Sequence, residues 1–403
     1  MPSLSQNIDE TQFETIRGKA LHILENLLEN DGTQQTHSEM STTTTTSPAS
    51  IYHDSWLRGK TKCTVSYSTS RCKFFDKYGF LHIKSFCDET QVKEMKYQME
   101  TLVNDKWDPN NEKQKITVFR TDDKQISNQG SDDYFLESAN NIHYFAESRA
   151  MDENGKLKYE FQNKKMLALN KAGHGLHMIQ GHFQNYTTSC KIRDLVKELG
   201  WRDPVVPQSM YIFKQARVGG EVTSHQDSTF LHTTPRQSCL GLWLALDDAT
   251  LSNGCLWVRP ASHKEKVRRV FAKNPEHFGE EAIQNRSNIA KGDMSKTQMI
   301  FTQNPGCEVI DWDGKIPICD DDDEKKEIWE VLFDAGFVPI ECSAGDLVVF
   351  PGELDHLSLP NFSENQRHTF QLHLVEGEGC GIKWSETNWL QYPKGIPFLS
   401  LNK

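Results

Sequence analysis

The sequence CLGLWLALDDATLSNGCLWVRP spans residues 239–260. It holds two short apolar segments, and Asp, Asn, Gly and Pro residues lie between and after them, as is typical of strands joined by turns. Three further segments of this kind flank it, SMYIFKQ at 209–215, DLVVFPG at 346–352 and RHTFQLHLVE at 367–376. From about Gln208 onward, the sequence therefore predicts a core of many short strands.

Helical patterns precede this strand-rich region. Asp88 and Gln91 are spaced as in a capping box, and the helix that follows them would bury an apolar face. A second helix is expected near residues 191–199, where Gly200 would end it. The segment FFDKYGFLHIKSF at 74–86 predicts a short strand leading into the first of these helices. Helices followed by many short strands indicate an α+β protein with a closed or two-sheet β-core.

Three regions are distinguished along the chain. Residues 1–70 are interpreted as an N-terminal helix, with apolar positions at helical spacing over 11–28, and a flexible polar linker that contains the threonine run 42–46. The helix could pack on its own domain or dock on a partner. Residues 71–403 are interpreted as one folded domain. Within it, residues 264–337 are polar and form an insertion, which could be a lid, a partner surface or a passive loop.

Composition and charge exclude several functional classes. The formal net charge is −11, which argues against general nucleic-acid binding because attraction to phosphate requires clustered Lys and Arg. The ten cysteines form no C-x-x-C pair, so a zinc ribbon or a thioredoxin-type site is not expected. The acidic run at 320–324 is interpreted as the solvated start of a helix near 325–333 rather than as a metal site.

The expected compartment is the cytoplasm. The first residues, MPSLSQNIDE, contain no apolar region of a signal peptide, and the last residues, SLNK, differ from the peroxisomal ending SKL. No stretch approaches the roughly 18 apolar residues that a membrane span needs. A small-molecule substrate is expected, with no nucleic-acid or membrane partner, and the oligomeric state stays open.

The residues that carry chemistry centre on His225 and Asp227. In an extended segment, residues i and i+2 project from the same face, so this imidazole and this carboxylate would lie side by side. Two His and one carboxylate on one face of an octahedron leave three positions open, which suits Fe(II). The same His-x-acid pattern also occurs at His37–Glu39 in the polar linker and at His263–Glu265 at the start of the insertion. Only the pair His225–Asp227 enters the strand-rich region.

A candidate for the third metal ligand and candidate binding residues for a cosubstrate lie downstream. His356 follows the apolar segment LVVFP at 347–351 and could fold back onto the first two ligands. Ser358 lies on the same face two residues further on, and Arg367 opens the next strand. An Arg fork is suited to holding the free carboxylate of a 2-oxo acid that chelates iron through its other end. Taken alone, Arg367 could equally be a surface charge.

The chain resembles the phytanoyl-CoA dioxygenase family from about Phe74 to Pro397. The segments that carry the resemblance are long and follow the family's order. They are NKAGHGLH at 170–177, QSMYIFKQ at 208–215, GGEVTSHQDSTFL at 219–231, LGLWLALDDATLSNGCLWVRPASH at 240–263 and WSETNWLQ at 384–391.

This resemblance implies a double-stranded β-helix core, jelly-roll in type and flanked by helices, with iron bound by His225, Asp227 and His356. The insertion makes the spacing before the third ligand longer than is usual in the family, which leaves the substrate open. The resemblance also implies contacts to 2-oxoglutarate from Lys171, Met210, Trp243, Ser358 and Arg367.

The expected activity is that of an Fe(II)- and 2-oxoglutarate-dependent dioxygenase. It would convert 2-oxoglutarate and O2 to succinate and CO2 and hydroxylate an unidentified small molecule, with acyl or lipid-like compounds as candidates and ascorbate as a candidate reductant. A catalytically idle β-barrel scaffold and a zinc hydrolase stay open as alternatives. A halogenase would carry a small residue in place of Asp227, and this carboxylate argues against one.

Overall fold

A computed structural model of the chain describes residues 10–29, 69–109, 111, 116–119, 132–285, 293, 295–304 and 327–402. The two longest of the described helices are Glu10–Glu29 and Glu89–Lys106. Among the described helices, none is long and apolar enough to cross a lipid bilayer. The shorter α-helices are Thr69–Tyr78, Asp133–Leu136, Tyr159–Gln162, His182–Thr187, Cys190–Glu198, Pro275–Phe278, Glu280–Gln284 and Ile328–Asp334.

The strands form two principal sheets. In the described part of the chain the strands are β1 (Leu81–Ile83), β2 (Thr117–Phe119), β3 (Ile142–Glu147), β4 (Leu169–His174), β5 (Pro204–Ile212), β6 (Val222–His225), β7 (Thr233–Thr234), β8 (Leu240–Ala245), β9 (Leu256–Val258), β10 (Arg269–Lys273), β11 (Met299–Gln303), β12 (Val338–Ile340), β13 (Leu347–Pro351), β14 (His356–Ser358), β15 (Thr369–Glu376), β16 (Lys383–Trp384) and β17 (Leu399–Ser400). The larger sheet has the order β1-β13-β8-β15-β5-β4-β3-β2, with β17 also paired to β5, and the smaller has the order β12-β9-β14-β6. All of these pairs are antiparallel except β2–β3.

The larger sheet has two covered faces, which explains why β8 and β13 are buried at every residue. On the outer face, Phe370 packs against Phe183 of a helix, with 4.8 Å between the ring centroids. On the inner face, Met210, Gln371 and Trp243 are cross-strand neighbours that line a cavity closed by the smaller sheet. This architecture confirms the predicted α+β fold class, a double-stranded β-helix core flanked by helices.

The N-terminal helix packs on its own domain. Ile16, Ala20 and Leu24 lie on one face of it at helical spacing and are buried in the main hydrophobic core. Arg17 Nε donates to Glu341 Oε2 at 2.9 Å, beside the end of β12. The linker expected after this helix, with its threonine run, lies outside the described residues.

The capping box before the helix Glu89–Lys106 is confirmed. The Asp88 carboxylate accepts from the Gln91 backbone N–H at 2.9 Å, and the Gln91 side-chain oxygen accepts from the Asp88 N–H at 3.2 Å. The strand predicted within 74–86 is confirmed as β1, which leads into this helix, but the helix Thr69–Tyr78 before it was not predicted. Gly79, at φ +80°, ends that helix in the left-handed conformation that glycine adopts without strain.

The insertion contributes part of the cavity wall. Its strands β10 and β11 pair as an antiparallel hairpin. Phe271 of β10 lines the cavity and packs against Phe230, with 5.7 Å between the ring centroids. The helix expected near 325–333 is observed at Ile328–Asp334. The acidic run at 320–324 lies outside the described residues.

Candidate active site

The pairing of two strands in the smaller sheet brings the three predicted metal ligands together. His225 is the last residue of β6 and lies directly opposite His356, the first residue of β14. The sequence predicted that the strand continues through Asp227. Asp227 instead begins a short 3-10 turn just after β6. Because Gln226 between them is still extended, with φ −112° and ψ 128°, the side chains of His225 and Asp227 keep a common face.

The ligand atoms are close enough to share one ion. Asp227 Oδ1 lies 3.5 Å from His225 Nε2 and 3.7 Å from His356 Nε2. All three ligand atoms fall within 4.8 Å of one another. An ion that binds each atom at about 2.0–2.2 Å can sit between atoms at such separations. The geometry therefore fits a facial set of two imidazoles and one carboxylate.

Backbone carbonyls fix the tautomers of both histidines. The Nδ1–H group of His225 donates to the carbonyl of Thr223 at 2.8 Å, and that of His356 donates to the carbonyl of Leu354 at 3.0 Å. A carbonyl oxygen can only accept, so in each neutral ring the proton sits on Nδ1 and Nε2 keeps a lone pair. Burial, with the adjacent ring of His225, lowers the pKa of His356 to about 4. This imidazole is therefore neutral near pH 7, as metal binding requires.

The second carboxylate oxygen of Asp227 is held by the larger sheet. His373 Nε2 lies 3.1 Å from Asp227 Oδ2, and Gln208 Nε2 lies 3.2 Å from His373 Nδ1. Burial alone would raise the pKa of Asp227, but the imidazoles of His373 and His356 outweigh it and hold the pKa well below its ordinary value. Asp227 is therefore ionised and oriented before any ion binds.

Arg367 lies buried in the wall of the same cavity, whose volume is about 420 Å³. Its side chain is 2% exposed, and its Nε has no hydrogen-bond partner among the described residues. Burial lowers its pKa to about 10, so the guanidinium remains charged at neutral pH. Its Nη1 donates to Thr369 Oγ1 at 3.4 Å, and the centre of its guanidinium lies 5.4 Å from the centroid of the Trp243 ring. A buried guanidinium with an unused donor is suited to an anionic ligand.

Three of the other predicted cosubstrate contacts line the same cavity as this guanidinium. Ser358 lies two residues after His356 on β14, and its buried side chain lines the cavity. Met210 and Trp243 flank Gln371 in one cross-strand row of the larger sheet. The structure thus places an apolar wall and a hydroxyl group in the same cavity as Arg367.

Lys171 occupies a different part of the cavity wall, on β4. Its ammonium lies 3.5 Å from the centroid of Phe119 and within 5.4 Å of those of Phe135 and Phe145. Burial holds the pKa of Lys171 well below its ordinary value. Among the described residues, aromatic faces rather than a carboxylate surround this ammonium.

A second group with possible metal-ligating atoms lies outside the cavity lining. It consists of His82, Cys342 and Asp346 at the edge of the larger sheet. The carboxylate of Asp346 already accepts from His82 at 2.9 Å and from the backbone N–H groups of Ser85 at 2.8 Å and Ser343 at 3.0 Å. These contacts give the carboxylate a structural role in joining β1 to the loop before β13.

Two functional contacts were missed from the sequence. His373 lies six residues after Arg367 on one extended segment, and this even spacing could have assigned both to the inner face. Asp355, next to His356, is fully buried and bonds Arg268 Nη1 at 2.6 Å. Because Arg268 lies in the insertion, no local pattern indicated that ion pair.

The chain is similar to known proteins in sequence. The sequence model of the phytanoyl-CoA dioxygenase (PhyH) family matches residues 75–369. The phytanoyl-CoA dioxygenase of Arabidopsis thaliana is 36% identical over 331 residues, covering 82% of this chain and 96% of that protein. The phytanoyl-CoA dioxygenase domain-containing protein 1 of Danio rerio is 37% identical over 286 residues, covering 71% of this chain and 82% of that protein. Among solved structures, the epimerase SnoN in complex with Fe3+, alpha ketoglutarate and nogalamycin RO is similar, with a TM-score of 0.45 and 13% identity over 82% of this chain and 96% of that chain. The resemblance predicted from the sequence is therefore confirmed, and the chain belongs to the phytanoyl-CoA dioxygenase family.

Proposed function

We propose that this protein is an Fe(II)- and 2-oxoglutarate-dependent dioxygenase that converts 2-oxoglutarate and O2 to succinate and CO2 while it hydroxylates a small molecule. The observation that carries the proposal is the cluster of His225, Asp227 and His356, in which two imidazoles of fixed tautomer turn their Nε2 atoms toward one ionised carboxylate. These three residues would hold the iron. When bound, the iron supplies the activation of O2 and of the substrate C–H bond.

The cavity residues would orient the cosubstrate. Arg367 and Ser358 would bind the carboxylate of 2-oxoglutarate that is remote from the metal, because their buried donors face the same cavity. Trp243 and Met210 would pack against its methylene groups. Lys171 would contribute positive charge once an anionic cosubstrate is bound, because burial lowers the pKa of its ammonium and no carboxylate of the described residues balances this effect. A doubly charged cosubstrate would offset part of the cost of burying these cations.

The remaining lining of the cavity supports an apolar substrate. Aromatic and aliphatic side chains cover this part of the wall and exclude water from the space beside the ligand cluster. We propose an acyl or lipid-like small molecule as substrate, ascorbate as the reductant that keeps the iron ferrous, and the cytoplasm as the place of action. The residues of this wall are Phe119, Phe135, Phe230, Leu231, Phe271 and Trp389.

An anaerobic titration tests the proposal. Addition of Fe(II) and then 2-oxoglutarate should produce the weak visible charge-transfer band of the chelate, and admission of O2 should release succinate. The Asp227→Ala variant should lose both signals. Asp346→Ala is a matched control, because Asp346 is also a buried aspartate that accepts from a histidine but lies outside the cavity lining. It should keep the band.

Each alternative has its own outcome in this titration. An idle scaffold of the same fold would give the band without succinate. A zinc hydrolase would retain zinc on purification and give no band, and metal analysis identifies it. Succinate release that persists in Asp227→Ala protein contradicts the proposed iron ligands.

A further inference from the structure

The ammonium of Lys214 joins the two strands that carry the proposed ligands. Lys214 directly follows Phe213 at the end of β5 and is 2% exposed. Its Nζ donates to the carbonyl of Gly220 at 2.9 Å and to the carbonyl of Leu359 at 2.6 Å. Gly220 leads into β6, which ends at His225, and Leu359 follows β14. One side chain therefore links the ends of β6 and β14 that are remote from the ligand cluster.

Two glycines make room for this lysine. A Cβ on Gly219 would lie 2.6 Å from Lys214 Cγ, and one on Gly254 would lie 3.1 Å from Lys214 Nζ and 2.4 Å from the Leu359 carbonyl oxygen. The backbone of Lys214 itself has φ +29°, a region that L-residues rarely adopt. Such a conformation destabilises the fold locally and tends to occur where function requires it.

A second buried cation, Arg367, lies close to Lys214. The backbone N–H of Arg367 donates to the Lys214 carbonyl at 3.1 Å, and both side chains line the cavity. Burial lowers the pKa of Lys214, and the charge of Arg367 lowers it further. The carboxylate of Glu147 acts in the opposite direction and raises the pKa of Lys214. Burial raises the pKa of Glu147 itself to about 7, so its negative charge is partial near neutrality. Glu221, the other nearby acid, is exposed to solvent.

We propose that Lys214 is a positioning residue for the cosubstrate. Its side-chain amine holds the ends of β6 and β14 so that Ser358 and Arg367 meet the remote carboxylate of 2-oxoglutarate. The anionic cosubstrate favours the charged form of Lys214, whose charge then adds to that of Arg367. The inference rests on the function proposed above. It follows that preference for a dicarboxylic 2-oxo acid over a monocarboxylic one depends on Lys214 as well as on Arg367.

Binding measurements without turnover test this inference. Mn(II)-loaded protein is titrated in a calorimeter with 2-oxoglutarate and, by competition, with 2-oxopentanoate, which has the same chain length but no second carboxylate. Lys214→Gln keeps two N–H donors for the carbonyls and removes the charge. It should weaken 2-oxoglutarate binding about tenfold, the order expected for loss of one nearby buried charge, and change 2-oxopentanoate binding by less than about twofold. Lys273→Gln, which alters another buried lysine outside the cavity lining, should change neither.

The outcomes separate the inference from the proposed function. Equal weakening of both acids would show a structural role only and overturn the inference, as would unchanged binding of 2-oxoglutarate. Should Lys214→Gln fail to fold, Arg367→Gln in the presence of Lys214 provides the test. A preference for 2-oxoglutarate that persists when Lys171→Gln is added to Arg367→Gln supports the inference, and equal affinity for the two acids overturns it. Wild-type protein that binds metal but no 2-oxoglutarate refutes the proposed function itself.

Discussion

Gly241 of β8 provides a sensitive test of the ligand geometry. A Cβ at this position would lie 2.9 Å from Cε2 of Phe350 and 3.1 Å from Asp227 Oδ2. Carbon atoms pack at about 3.5–4.0 Å, so the neighbours of a new methyl group must withdraw by about 0.5 Å. Metal–ligand distances tolerate deviations of only about 0.2 Å. Gly241→Ala should therefore weaken metal binding by about 10- to 100-fold, as other changes around a ligand do.

The assay compares metal affinity with stability. Calorimetric titration with Mn(II) measures the affinity, and urea unfolding of the metal-free protein measures the free energy of unfolding, which should fall by about 1–3 kcal/mol through overpacking. Gly175→Ala is the matched control, because its Cβ would lie 2.9 Å from the Asn140 backbone and outside the cavity lining. It should lose stability and keep the metal affinity. Wild-type affinity in Gly241→Ala would refute the assignment of Asp227 as a ligand held in place against β8.

Three further changes have distinct expected results. Arg367→Met should weaken 2-oxoglutarate binding by about 10- to 100-fold, the equivalent of losing a charge-assisted hydrogen bond pair, with Mn(II) affinity unchanged in the same calorimetric titrations. Arg268→Met should lower the free energy of unfolding in urea by about 1.5–3 kcal/mol, because it removes the shorter of two ion pairs of the buried Asp355 carboxylate, which keeps Arg259 at 3.3 Å. An unchanged free energy of unfolding contradicts this. Burial raises the pKa of Glu147 to about 7 from an ordinary 4.5, so wild-type stability should fall as pH rises through this window, where the unfolded chain loses the proton first. Glu147→Gln should remove that decline in urea unfolding measured between these pH values, and an unchanged pH profile would count against the burial argument.

The sequence contained enough information to predict the core and the ligand cluster. Alternating apolar segments bounded by turn residues define strands locally, and the chain from 208 to 376 is rich in them. His225 and Asp227 are two residues apart, so extended backbone alone sets their common face. The prediction of His356 as a ligand required the further assumption that its strand pairs with β6. The observed pairing of His356 with His225 agrees with this assumption.

Other features depend on contacts that no local pattern encodes. The ion pair of Asp355 with Arg268 and the hydrogen bond from Lys214 to the Leu359 carbonyl join residues far apart in sequence. The insertion was recognised by its polar composition, but its β10 strand lines the cavity because Phe271 finds apolar partners there. The helix Thr69–Tyr78 was not predicted because a ten-residue amphipathic helix and a short strand share similar apolar spacing.

Both proposed histidine ligands are oriented by a carbonyl two residues earlier on their own segment, Thr223 for His225 and Leu354 for His356. Both orienting hydrogen bonds thus lie within two tripeptides and involve neither the aromatic wall nor the insertion. Parts of the cavity that do not touch these tripeptides can be remodelled, by nature or by protein engineering, to accept molecules of new shape while these hydrogen bonds are kept.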